Sequence, residues 1–353
     1  MLFYYIIAFV IVVLGFALEK KNRKLYACIV FAILTVIVGL RHYTIGVDTP
    51  NYVGIFNTIS SVGVSQFMDS WLEIGFLYFN IFISKFTDSY TIFLLIIAII
   101  TNFSICKFIE KYSHNMTMSF LLIILTRMLF NEMNIMRQCL SVALFLISFD
   151  FIKKRNFIKF LIIISISSLI HKSSILLIPI YFLYGKKLGT RHKICLISLT
   201  AFIYVFFYIF FIRISTYFGT TYEQYVENFY GSNKIASVLS FFINLFILLL
   251  FFMINKIEKT KNNEDEIFLY NCQYILTLIS FLCIKMSILS RVTVLFDVLI
   301  LVSLPNYIRK IRNLKIRAAV YFGVVCFFLL STSIILLYRP EWYKVIPYRF
   351  FWD

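Results

Sequence analysis

Long apolar stretches separated by short polar ones run through the whole chain, and many are wide enough to cross a hydrocarbon layer of about 30 Å. Read with helical periodicity, they predict spans at about 2–18, 25–40, 90–107, 117–130, 135–152, 157–171, 173–185, 193–213, 236–255, 267–285, 291–308 and 318–338. Trp71 to Phe86 is apolar enough for a short helix, yet a full crossing there would invert everything downstream. A half-crossing or an interfacial helix is expected instead. The pattern therefore predicts an all-α polytopic membrane protein with about 12–14 transmembrane helices. It is read as one domain over 1–353, with outer loops at about 41–70 and 214–235 and an outward tail from Tyr338 to Asp353.

The region 157–185 is too long for one ordinary span and carries His171-Lys172-Ser173-Ser174 at its centre, which predicts two short helices meeting at that tetrad. Non-helical backbone at membrane depth is tolerated only where protein or a water-filled cavity surrounds it, so the break points to a site.

Composition and charge turn the pattern into an orientation. Of 353 residues, 61% are hydrophobic and 14% charged, and the mean hydropathy is +0.88. A net charge of +17 would suit nucleic acid, but the basic residues sit in short clusters between apolar runs rather than on a soluble face. The clusters Lys20–Lys24, Lys107 with Lys111, Lys153–Lys159, Lys186–Lys193, Lys256–Lys261 and Arg309–Arg317 hold 22 of the 34 lysines and arginines. The positive-inside rule puts them in the cytoplasm and the N-terminus outside. Leu2–Leu18 lacks a basic n-region and a small-residue cleavage site, so it is read as a retained helix. The seven cysteines lie in or beside apolar segments without C-x-x-C spacing and read as small core residues. No acidic cluster suggests a metal, and P-loop and dinucleotide fingerprints are missing, so neither metal nor cofactor is expected.

An ionisable residue in a span costs roughly 2.5–3.5 kcal/mol on insertion scales and asks for a reason. With the basic clusters inside, Arg41, His42 and Asp48 end the second span at its outer side, Arg137 and Arg291 begin their helices there, and Arg127 lies about one turn in. His171 and Lys172 share that depth. Cations at an outer mouth suit an anionic group, and the planar fork of arginine suits phosphate oxygens. Snorkelling to headgroups is the alternative, preferred for Lys172, Arg213 and the tail arginines but not for Arg41, Arg137 and Arg291.

The surroundings of these residues read GLRHYTIGVDTPNY at 39–52, WLEIGF at 71–76, IMRQCLSVALF at 135–145, LIHKSS at 169–174 and LSRVTVLF at 289–296. Together they resemble the EpsG family of bacterial polysaccharide proteins, within the Wzy-type repeat-unit polymerases. Arg41, Gly46 and Asp48 with Asn51-Tyr52 are the most specific piece. Arg137-Gln138, His171-Lys172-Ser173-Ser174, Arg291 and Pro347-Tyr348 follow in order. The chain departs in having Glu73-Ile74-Gly75 where relatives carry a proline after the glutamate. The resemblance implies a GT-C-like fold and a glycosyltransferase in the cytoplasmic (inner) membrane that joins undecaprenyl-diphosphate-linked repeat units at the outer face, for capsule, exopolysaccharide or O-antigen. Partners would be those lipid-linked glycans, membrane lipids, and flippase and chain-length regulator proteins, with no nucleic acid.

The chemistry fits these residues without the family. A diphosphate leaving group gathers negative charge as the glycosidic carbon is attacked, and fixed arginines lower that barrier. Arg137 and Arg291 are assigned this role, with Arg41 as a third candidate. A base must take the acceptor proton, and His171, Asp48 or Glu73 could serve, with His171 favoured. Asp48 could equally cap a turn or pair with Arg41. Asp48, Glu73, Gln138, Lys172 and Arg127 are the expected substrate-binding set. A flippase, a glycan ligase and a sugar acyltransferase are the competing functions.

Overall fold

The computed structural model describes residues 1–63, 67, 72–218, 234–259 and 261–353. Helices α1 (Leu2–Leu18), α2 (Arg23–Gly39), α3 (Thr49–Val62), α4 (Ile74–Ser84), α5 (Tyr90–Tyr112), α6 (Met116–Leu125), α7 (Met128–Asn134), α8 (Met136–Lys153) and α9 (Phe157–Ile170) lead to a 3-10 segment, Lys172–Leu183. Helices α10 (Thr190–Phe218), α11 (Lys234–Glu258), α12 (Glu264–Cys283), α13 (Ser290–Arg309) and α14 (Leu314–Tyr338) follow. The described residues contain no strand, only an isolated bridge between Arg41 and Phe350. Among the described residues five helices, α5 and α11 to α14, are long and apolar enough to span a membrane, and the bent pair α6–α7, counted as one span, makes a sixth. The chain is an all-α, multi-pass membrane protein.

Three expectations change. The span drawn at 117–130 is broken at Thr126-Arg127, where α6 and α7 meet at 51° and Arg127 takes a left-handed backbone, φ 67°. The stretch 173–185 forms a 3-10 helix, a tighter coil with Pro179 inside it. The outer stretch 41–70 holds α3, which starts at Asp48 with Pro50 in its first turn. Helix α4, with 11 residues, is about 17 Å long and too short to cross. The predicted loop 214–235 lies mostly outside the described residues, as does Trp71.

The chain divides into two compact units, Met1–Ile178 with Pro305–Asp353, and Pro179–Leu304. In the first, α2 packs on α5, α8 on α9 and α5, and α1 on α6. In the second, α11 packs on α12. Five of the helices that leave a basic loop start in one way. Asn22, Asn115, Asn156, Asn263 and Asn313 each accept a hydrogen bond from the first turn of α2, α6, α9, α12 and α14. The first turn of a helix leaves backbone N–H groups unmet, which the asparagine carbonyl satisfies where lipid cannot.

At the other end of the first unit, the tail folds back instead of projecting. His42 N–H donates to the Arg349 carbonyl at 3.0 Å, Gly46 N–H to the Lys344 carbonyl at 3.0 Å, and Asn134 to the Tyr343 carbonyl at 3.2 Å. Tyr4 and Tyr348 hydroxyls donate to the carbonyls of Val345 and Ile37. Gly46 sits at φ 99°, and a Cβ there would stand 2.3 Å from the Met133 carbonyl oxygen. This explains the glycine of the Arg41-x4-Gly46 spacing. Gly46→Ala is expected to cost at least about 1–3 kcal/mol and to lower the melting temperature in detergent. Gly54→Ala, in α3 with open space around it, should be neutral or slightly stabilising; equal melting of the two variants would refute this.

Candidate functional site

Four segments of the first unit meet where α9 ends. Helix α8 begins beside a non-helical link at Ile135 and presents Arg137 on its first turn. Glu73 precedes α4 in extended backbone, His171 follows α9 in extended backbone (φ −150°, ψ 111°), and α3 supplies Tyr52. Gly75 permits the junction, since a Cβ there would lie 2.7 Å from backbone atoms of Leu169. The small residue thus lets α4 touch the end of α9.

The Arg137 guanidinium pairs with one oxygen of the Glu73 carboxylate, and its Nε donates to the Tyr52 hydroxyl at 3.3 Å. It also lies 5.7 Å from the ring centres of Tyr52 and Phe76, within range of a cation–π contact. The other Glu73 oxygen faces His171 Nδ1 at 3.5 Å and accepts from the Lys172 N–H at 3.4 Å. All three charged or titratable side chains are buried, at 7–9% exposure. A charge removed from water must be paired, and here one carboxylate serves both neighbours. Glu73 lies ahead of α4, outside the spanning helices. Burial alone would raise its pKa, but the approach of His171 and the Arg137 charge outweigh that and hold it well below the usual carboxylate range. It is a carboxylate at neutral pH.

His171 is the open member. At 3.5 Å its Nδ1 is within ion-pair range of Glu73 but outside hydrogen-bond geometry, and neither ring nitrogen has a hydrogen-bond partner among the described residues. A buried polar atom without a partner costs free energy, so such an atom facing a site marks where a ligand group belongs. Under it, the Ser141 hydroxyl bonds those of Ser167, at 2.7 Å, and Ser174, tying α8, α9 and the 3-10 segment together.

Arg41 has a different setting. It is fully enclosed, and its guanidinium donates to the carbonyls of Val38, Ile45 (3.4 Å) and Met133 (3.3 Å) and to the Thr49 hydroxyl (3.2 Å). It ties the end of α2, the 41–49 loop and α7 together. Asp48 is half-buried at the start of α3, Gln138 is buried in α8, and Lys172 is exposed beside His171. Arg127 donates to Ser331 and Thr332 of α14 at 3.3 Å each. Arg291 is exposed on the first turn of α13, in the second unit. The structure thus joins Glu73, Arg137, His171 and the Lys172 backbone, and sets Arg41 in a neighbouring knot that shares Met136, whose sulfur receives Arg41 at 3.3 Å.

The model of the EpsG family matches residues 24–350. The chain belongs to the EpsG family. No curated relative and no solved structure matches it. EpsG-family proteins are Wzy-type polymerase-like, which makes this chain a membrane protein of polysaccharide biosynthesis. The segments that carry the resemblance supply the partners just described: Tyr52 from 39–52, Glu73 and Gly75 from 71–76, Arg137 from 135–145 and His171 from 169–174. Ser167 and the buried Glu132, whose carboxylate accepts from Thr101 at 3.4 Å, escaped the sequence reading, while Ser141 and Ser174 lay in the segments 135–145 and 169–174 without a role. For Glu132 a signal existed, a carboxylate inside an apolar run. Ser167 carries none.

These settings separate stability from chemistry. Arg41→Met strips hydrogen bonds from three buried carbonyls and should cost about 3 kcal/mol or more. His171→Ala removes a buried ring that makes no hydrogen bond among the described residues but lies within ion-pair range of Glu73, and should lower the melting temperature clearly less than Arg41→Met. Thermal unfolding of both purified variants checks this, and a reversed order would contradict it.

Proposed function

We propose that this EpsG-family protein is a polymerase that joins undecaprenyl-diphosphate-linked oligosaccharide repeat units at the outer face of the cytoplasmic membrane. The observation that carries the reading is the buried Glu73–Arg137–His171 group, with an imidazole at a helix break whose Nε2 has no hydrogen-bond partner among the described residues. The side assignment rests on the basic loops. Those after α1, α5, α8 and α13 lie at the end of the first unit opposite the group, as the positive-inside rule requires if the group faces outward.

In this reading the acceptor sugar hydroxyl attacks the anomeric carbon of the growing glycan. The new glycosidic bond forms as the bond from that carbon to the diphosphate breaks, and the diphosphate leaves with the electron pair. The acceptor proton passes to His171 Nε2, on the far side of the ring from Glu73. Arg137 and Glu73 are mutually neutral before transfer. When His171 takes the proton, the group gains one positive charge as the leaving diphosphate gains one negative charge, so the match develops with the reaction. Tyr52 and Glu73 fix the Arg137 plane, and Glu73 orients the imidazole. Arg41 is a positioning residue, because its donors are spent on backbone carbonyls. Lys172, Gln138, Asp48 and Arg127 are proposed as supports for binding.

Reconstituted protein with lipid-linked repeat units should build a ladder of longer chains. Arg137→Ala and His171→Ala should each slow elongation by about 10²–10⁴-fold, and Arg137→Lys should not restore it, because a point charge lacks the fork geometry. Unchanged ladders in both alanine variants would overturn the assignment. Movement of the glycan lipid between leaflets with no ladder would support a flippase instead.

A further inference from the structure

The basic end of the first unit contains a cavity of about 930 Å³ that the proposed chemistry does not use. Three loops distant in sequence build it, those joining α1 to α2, α5 to α6 and α13 to α14. Lys20, Arg23, Arg309 and Arg317 line it, with Glu19 as the one carboxylate in the lining. Glu19 is already engaged, accepting from the N–H groups of Met116 (2.6 Å) and Thr117 (3.0 Å) and from the Thr117 hydroxyl. Its distance to Arg23 is 3.9 Å, the outer edge of an ion pair. Four cations therefore face a cavity with one occupied counter-charge.

The arginines are held in place. Arg23 donates to the carbonyls of Glu110 (3.1 Å) and Ser113 (2.9 Å), and Arg309 to the carbonyl of His114 (2.6 Å). Each guanidinium has five N–H donors, so one or two anchoring bonds leave others for an anion. Part of the remaining wall is apolar, with Phe16, Leu314 and Ala318 at helix ends, beside His114, Asn115, Thr117 and Tyr321. Orientation in the membrane needs basic residues somewhere in the inner loops, but it does not need them gathered around a cavity with an apolar stretch of wall.

We propose that this cavity is a binding site for the phosphate headgroup of an anionic phospholipid, with the arginines on the phosphate and the apolar wall along an acyl chain. A basic pocket between helices on the cytoplasmic side is suited to such a headgroup, and a free phosphate would share the charge contacts but leave the apolar wall unused. The test is native mass spectrometry of the purified full-length protein after exchange into micelles doped with phosphatidylglycerol or phosphatidylcholine, with a third arm of inorganic phosphate. Phosphatidylglycerol should be retained at least about tenfold over phosphatidylcholine, and millimolar phosphate should not displace it. The double variant Lys20→Gln with Arg317→Gln should lose that preference, while Lys20→Arg with Arg317→Lys should keep it. An unchanged melting temperature in the glutamine variant shows that folding is intact; if it melts early, the lysine/arginine variant and the phosphate arm decide. Equal retention of both lipids, unchanged preference in a folded glutamine variant, or displacement by phosphate would overturn the proposal.

Discussion

A guanidinium in an apolar interior cannot stay unpaired, and Arg137 imposes that constraint on the first unit. Its partner, Glu73, comes from 64 residues earlier in the chain, so the start of α4 must reach the start of α8. That approach brings α4 against the end of α9, which a side chain at Gly75 would block. The same carboxylate then faces His171 and the Lys172 amide, so the helix break at 171 is held by the group that neutralises the arginine. Charge pairing, chain reversal and site formation are one arrangement.

The ends of this unit solve the problem of unmet backbone groups differently. At the end with the candidate site, Arg41 spends its donors on carbonyls that a broken α2–α3 connection would leave bare, and the tail adds backbone bonds to the same loop. At the basic end, asparagines cap the helix starts and arginines bridge loop carbonyls. Reconstituted elongation and lipid retention therefore probe opposite ends of one unit.

Much of the helical plan was legible because lipid imposes a length and an apolarity that composition alone displays. Helices over 2–18, 135–152 and 318–338 were visible within a few residues. The break at Arg127 was not, because Leu121-Leu122-Ile123-Ile124-Leu125 and Met128-Leu129-Phe130 are apolar on both sides of Thr126-Arg127 and only the backbone shows the left-handed turn. The residues of the candidate site were also readable as types: cations and a histidine too costly for a span without cause. Their pairing was not. Arg41 and Arg137 look alike as outer arginines, yet one is enclosed by carbonyls and the other by a carboxylate and two aromatic rings. Glu73 drew little weight for want of a following proline, whereas its place between Arg137 and His171 follows from the close approach at Gly75, which a pattern of types does not encode.

The most direct measurement is a structure of the protein with a lipid-linked oligosaccharide bound. A polymerase working as proposed would hold the sugar hydroxyls within about 3 Å of His171 Nε2 and the diphosphate beside Arg137. A glycan bound elsewhere, with none of its polar atoms near His171 Nε2 or the Arg137 guanidinium, would contradict it.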